Sequence, residues 1–274
     1  MVITPKTNQA AFTEFLIEIR KRNLYQHKFL NHFLKSAMTG KVIVSDNSIL
    51  SRSGNGWILL LHSDLLYVYG EHWDARQFTE IQESFELNKF GNLIISGESE
   101  LIAALLSCFK ITKHSIDKER VMYKTKRVIA YKPKGLNISW GKLGDADELA
   151  IMLQTYYHEE YQGKNDKQID EMKDRILMVI QSNAIYVLKD ESLRLLGFCT
   201  INNPDIGILF TKQEYRGRGY GKIMLSHCAA LLLKRNAEAF VLTDKENKSS
   251  NDVCKAVGFQ PFYNYSSIEI NVQS

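Results

Sequence analysis

The 274-residue sequence has no apolar run approaching the roughly eighteen residues that a membrane-spanning helix needs, so no membrane span is expected. Its first residues, MVITPKTNQAAFTEF, lack a basic stretch followed by an apolar one, so no signal peptide is expected. Its four cysteines, Cys108, Cys199, Cys228 and Cys254, form no CxxC pair, and each sits in an apolar segment. That pattern suits buried, reduced thiols and a cytoplasmic location. Seven histidines form no HExxH motif, and His27 and His32 are five apart, too far round a helix to share a face, so no metal site is expected. The net charge of +4 is too mild to demand nucleic acid, though it permits an anionic ligand. There is no GK[ST], which excludes a Walker A loop, and the glycines at 217, 219 and 221 do not have Rossmann spacing.

What is present is an ordinary globular balance, 45% apolar and 24% charged, on a chain long enough for two domains. Residues 11–35 carry apolar stripes at helical spacing (Phe12, Phe15, Leu16 and Ile19, then Phe29, Leu30, Phe33 and Leu34), with a break expected near Arg22 and Asn23. KVIVSDN at 41–47 and GWILLLHSDLLYVYG at 56–70 read as strands and a hairpin. A helix over 74–87, a strand NLIISG, a helix ESELIAALLSCF and a strand RVMYKT complete this half. KTKRVIAYKPKG, residues 124–135, is basic and holds Pro133 and Gly135, which marks a linker.

In the second half LNISWG is a strand, and Asp145 is placed to cap the helix DADELAIMLQTYYHEEY, with Leu149, Met152, Leu153 and Tyr156 facing a core. A second helix follows with Ile169, Met172, Ile176 and Ile180 on one face, then the strands AIYVL, LRLLGFCTI and IGILFT. A helix over about 219–235, a strand AFVLT, a short helix capped by Gly258, and the strands FYNY and SIEINV close the chain. The fold class expected is α/β, a mixed α+β sheet with helices on its faces.

EYRGRGYGKIML, residues 214–225, puts a glycine-rich turn between an apolar strand and a helix. The first turn of a helix leaves N–H groups unpartnered, and its dipole favours an anion. Glycines clear side chains from such a place and admit backbone angles that aim successive N–H groups inward. Arg216, Arg218 and Lys222 add positive charge. The expected chemistry is phosphate binding by residues 216–222, that is Arg216, Gly217, Arg218, Gly219, Tyr220, Gly221 and Lys222.

YRGRGYGK resembles the acetyl-CoA signature R/Q-x-x-G-x-G/A of the GNAT N-acetyltransferase superfamily, with Arg216, Gly219 and Gly221 in the fixed positions. Downstream, TDKENKSSNDVCKAVGF is similar to the family's N-x-x-A/S-x-x-x-Y-x-x-x-G-F, with Asn247, Ser250, Gly258 and Phe259 in place. The resemblance covers residues 136–274, about half the chain. It implies a GNAT domain there, with acetyl-CoA as acyl donor and an amine as acceptor. It implies that Leu209, Phe210 and Thr211 offer backbone to the pantetheine arm, that Arg216 to Gly221 cradle the pyrophosphate, and that Asn247 reaches the arm from the next strand end. The cofactor would enter a V-shaped split between the IGILFT and AFVLT strands.

The amine must be neutral to attack, and a lysine-like amine is so only about once in a few thousand molecules at pH 7. Asp205 is the candidate base: it opens the strand ending at Thr211, where histone-type relatives carry a glutamate. The family's usual acid, a tyrosine, is replaced by Cys254, whose neighbours Val253 and Val257 favour a packed thiol; Tyr263 or Tyr265 could stand in. Tyr156, Tyr157, His158, Glu159 and Glu160 fall where the family borders its acceptor. Residues 1–130 are expected to hold a helical lead and a degenerate acetyltransferase-like α/β domain, in which Gly97 with Glu98 and Glu100 makes no phosphate site. Three readings follow: an N-acetyltransferase for small, amino-acid-like amines, a non-enzymatic acyl-CoA-binding module, and a protein lysine or N-terminal acetyltransferase. A homodimer stays open.

Overall fold

The computed structural model describes residues 1–87, 90–132, 134–164 and 166–271; Pro133 and Val272, named in the linker and last strand above, lie outside them. The chain divides into two compact units, residues 1–122 with 263–274, and residues 123–262.

The first unit begins with β1 (Val2–Ile3) and α1 (Pro5–Arg22). Thr4 and Thr7 close a capping box at the start of α1, with Pro5 at its first position. The expected break occurs at Asn23, whose left-handed φ of 45° ends the helix. There follow α2 (Lys28–Met38), β2 (Ile49–Ser53), β3 (Gly56–His62), β4 (Leu66–Glu71), α3 (Ala75–Ser84), β5 (Asn92–Glu98), α4 (Ser99–Cys108) and β6 (His114–Thr125), whose residues from Tyr123 on belong to the second unit. KVIVSDN is not a strand: Ile43 is exposed, and the pairing partner of β3 is the later segment 49–53. Strand propensity there yields to tertiary pairing.

The sheet of this unit runs β1-β2-β3-β4-β5 and then takes the C-terminal strand beside β5, in register from Tyr265↔Glu98 to Asn271↔Asn92. Ile58, Leu60, Val68, Ile95 and Ile268 pack under Leu101 and Leu105 of α4.

A buried histidine and a half-buried glutamate in this unit pull stability in opposite directions. Burial holds the His27 imidazole down to about 4, against Glu71 and with help from Arg22. Burial, then the like charges of Glu100 and Glu71, push the Glu98 carboxyl up to about 7. As pH falls below 6.5 the unfolded histidine takes its proton first, so the fold loses stability toward 4. As pH rises above 4.5 the unfolded glutamate ionises first, so the fold loses stability toward 7. Between 4.5 and 6.5 the two slopes oppose each other. Urea unfolding should therefore be nearly flat with pH there in the native protein. It should fall with rising pH in H27Q and with falling pH in E98Q. Two variants as flat as the parent would contradict this pairing.

The second unit holds β7 (Leu136–Trp140), α5 (Ala146–Tyr161), α6 (Ile169–Gln181), β8 (Ile185–Asp190), β9 (Leu195–Asn202), β10 (Asp205–Thr211), α7 (Tyr220–Leu233), β11 (Ala239–Asp244) and α8 (Lys248–Val257); β12 (Gln260–Asn271) begins here and ends in the first unit. The strand order β11-β10-β9-β8-β7 is antiparallel except for the parallel β10–β11 pair. Met152, Leu153, Met172 and Ile176 of α5 and α6 close on Val187, Phe198 and Phe210. Asp145 does not cap α5: its side chain accepts from the Lys142 amide at 3.0 Å and pairs with Lys189. Gly258 caps α8 in the left-handed region, φ 99°, as its position suggested. FYNY and the described residues of SIEINV, up to Asn271, form one strand, β12.

Candidate functional site

The site is built on β10, and its shape starts from one extra residue. Against β9, β10 passes from Ile206↔Ile201 to Leu209↔Cys199, three residues against two, which is a bulge at Gly207 and Ile208. Thr200 holds it: its Oγ1 accepts from the Ile208 amide at 2.7 Å. A Cβ on Gly207 would stand 2.4 Å from that oxygen, so the bulge requires glycine. Before the bulge β10 pairs with β11 at Asp205↔Phe240 and Ile206↔Val241, and the register stops there. Leu209, Phe210 and Thr211 keep their pairing with β9. Among the described residues, the edge of these three that would face β11 carries no strand pairing. The β10–β11 pairing ends where the bulge begins, between the two strands from which the sequence led us to expect a split.

After Thr211 a short 3₁₀ turn, Gln213–Tyr215, leads to the glycine segment. Gly217 and Gly219 adopt φ of 77° and 81°, the left-handed region that favours glycine. A Cβ at either position would meet nothing within 4 Å, so the glycines border open space rather than a packed wall. Gly219 is the N-cap of α7 and supplies no side-chain cap, so the first amides of this fourteen-residue helix are left facing out. Positive φ values beside a helix start aim N–H groups at an anion.

The side chains of this turn are arranged differently from a ring of cations. Arg216 donates Nε to the Thr211 carbonyl at 2.9 Å and one terminal nitrogen to both Glu159 oxygens at 3.0 and 2.7 Å. It also lies over the Phe210 ring. Arg218 rests on Tyr215, and Lys222 on Tyr131. Backbone amides, more than these side chains, front the open space. Across the split, Asn247 caps α8 by accepting from the Ser250 amide at 3.0 Å.

The turn after β11 is held by a residue that the motif reading passed over. The Asn251 side chain, buried, accepts from the Tyr123 and Thr243 hydroxyls at 2.8 and 2.7 Å. Its nitrogen donates to the carbonyls of Asp244, Lys245 and Asn247 at 2.9, 3.2 and 2.8 Å. One amide thus fixes the whole 244–247 turn. Its only sequence signal is an amide-bearing residue amid an apolar helix face.

A family model for the acetyltransferase (GNAT) family matches residues 147–259, which span α5 to the end of α8. Residues 147–259 are a GNAT domain.

The fold agrees. A GCN5-related N-acetyltransferase from Sphaerobacter thermophilus superposes with a TM-score of 0.55 at 11% identity, over 88% of this chain and 86% of that one. A Drosophila protein gives 0.54 at 12% identity over 96% and 97%. A GNAT-family acetyltransferase from Colwellia psychrerythraea gives 0.51 at 11% over 82% and 85%. At these identities the likeness is one of fold. No curated protein matches the sequence. The chemistry of the GNAT family is acyl transfer. Among the described residues no group of three or more histidine, cysteine or acidic side chains is poised for a metal, and no helix is long and apolar enough to cross a membrane.

Two candidate proton-transfer residues of the GNAT domain, Asp205 and Cys254, are buried. Asp205 is buried at the opposite end of β10, next to Phe240 where the sheet is still closed. Leu209 is four positions further along the strand, roughly 13 Å, and Thr211 is six. Cys254 is buried in α8, and burial pushes its thiol up to about 12. Tyr263 and Tyr265, the substitutes, belong to the first unit, where burial raises both phenols. The aromatic and acidic end of α5 does come to the end of β10: Tyr156 packs edge-on against Phe210, and Glu159 holds Arg216. His158 instead pairs with Asp166, and the Tyr157 hydroxyl accepts from Arg175.

Proposed function

We propose that the GNAT domain is an acetyl-CoA-dependent N-acetyltransferase whose acceptor is a small, amino-acid-like amine. The observation that carries this is the split itself: a β10 edge without a strand partner, leading directly into two left-handed glycines and the amide-bearing start of α7. The edge suits an extended amide-containing arm, which adds to a strand by backbone hydrogen bonds. The glycine turn suits the diphosphate that follows such an arm. Bound there, the thioester supplies an activated acyl group. Leu209 to Thr211 would orient it, and Gly217 to Gly221 with Lys222 would anchor its charge. Asn247, already capping α8, would border the arm from the other side. The four free cysteines suit a reducing compartment such as the cytoplasm.

Asp205 and Cys254 are assigned no proton transfer in this proposal. A buried thiol at about 12 is a core side chain, and a carboxylate at the closed end of the sheet is remote from the reacting atoms. The test is thiol release from acetyl-CoA over a panel of small amines, amino acids and lysine peptides. Turnover on a small amine is expected, with an unchanged pH–rate profile in D205N and retained turnover in C254A. Turnover on peptide lysines alone would favour the protein-acetylating reading. Tight acetyl-CoA binding with no turnover on any amine would favour a non-enzymatic acyl-CoA-binding module.

The N-terminal unit is read as a degenerate acetyltransferase-like fold without a cofactor site of its own. Its β4–β5 pair is parallel like β10–β11, but Gly97 serves close packing there: a Cβ would stand 1.8 Å from the Val68 carbonyl oxygen. Glu98 and Glu100 then bring negative charge to the start of α4, where a phosphate would need the opposite.

A further inference from the structure

The first unit holds a cleft of about 200 Å³ between α1, the β2–β3 hairpin and the end of β4. Its floor is fixed. Glu71 accepts two bonds from Arg22 at 2.8 and 2.7 Å and one from the Trp57 indole at 3.3 Å, with the His27 ring 3.8 Å from its other side. Arg22 and Glu71 thereby neutralise each other. Two further charged groups line the cleft, the Glu18 carboxylate and the Arg52 guanidinium. Arg52 lies over the Phe15 ring, its centre 5.5 Å away, which restrains the fork. Neither group makes an ion pair or side-chain hydrogen bond among the described residues, although they border the same space.

An unpaired anion and an unpaired cation that share a cleft without touching match a molecule carrying both opposite charges. We propose that this cleft binds a small zwitterion of the α-amino acid class, its carboxylate on the Arg52 fork and its ammonium on Glu18. A guanidinium presents the planar pair of donors that a carboxylate accepts. The cleft volume suits one small molecule rather than a peptide. An anion alone would gain Arg52 but face Glu18. A cation alone would gain Glu18 but face Arg52. The preference for a molecule with both charges is therefore a property of the site. Every residue named belongs to the first unit.

The test uses the full chain with glycine and alanine as probes and acetate and methylamine as single-charge controls, read by ligand-observed NMR or calorimetry. The zwitterions should bind, and each control should bind at least about tenfold more weakly. R52M and E18Q should each weaken zwitterion binding by about tenfold or more, with R52K falling between because it keeps the charge but loses the fork. Both side chains are exposed, so thermal melting of these variants should match the parent. Absence of zwitterion binding up to about 10 mM overturns the proposal. So does zwitterion binding that survives both substitutions, which would locate it elsewhere in the chain.

Discussion

G219D is expected to remove measurable acetyl-CoA binding, a loss of at least about a hundredfold, while leaving the protein folded. Gly219 has a left-handed φ of 81° and open space where a side chain would begin. Aspartate tolerates that region better than most residues, at a cost on the order of 1 kcal/mol. A carboxylate at the start of α7 also gains from the helix dipole, which offsets part of that cost. The same carboxylate would occupy the space in front of the α7 amides and satisfy them with the wrong anion. G219A separates the two effects, since it carries a similar backbone cost without the charge, and it should bind more weakly than the parent but better than G219D. Calorimetric titration of both variants checks this. Parental affinity in G219D would remove the glycine turn from the cofactor site.

The second large effect is at Asn251. N251A is expected to destabilise the second unit by about 3 kcal/mol or more, because one side chain satisfies five partners. Two of those partners, the hydroxyls of Tyr123 and Thr243, are buried and would be left without their acceptor. The three carbonyls of the 244–247 turn would lose their donor. That turn carries Asn247, so weaker acetyl-CoA binding should accompany the loss of stability. Urea unfolding followed through the second unit measures the first effect and calorimetry the second. A loss below about 1 kcal/mol would show that water replaces the amide at little cost.

How much was legible beforehand depends on whether the signal was local. The glycine turn was readable because helix starts and left-handed glycines write themselves into adjacent residues. The Gly258 cap and the break at Asn23 were readable for the same reason. The bulge that opens the split was not, since it joins Gly207 to Thr200 across two strands and glycine in a strand has several meanings. Asn251 was passed over because its partner Tyr123 stands 128 residues away. The last strand was read as two pieces, FYNY and SIEINV, that meet at Ser266 and Ser267. The fold instead pairs their hydroxyls with Ser99 and Ser96. Asp205 lies at the start of β10, where that strand still pairs with β11.

The claim that most of the account rests on is that an acetyl-CoA molecule lies along the free edge of β10 and ends on the start of α7. Amide hydrogen exchange with and without acetyl-CoA tests it most directly. Added protection is expected at residues 209–211, 217–222 and 244–247, with the first unit unchanged. Protection that leaves those three segments unaltered, or that appears in the first unit instead, would contradict it.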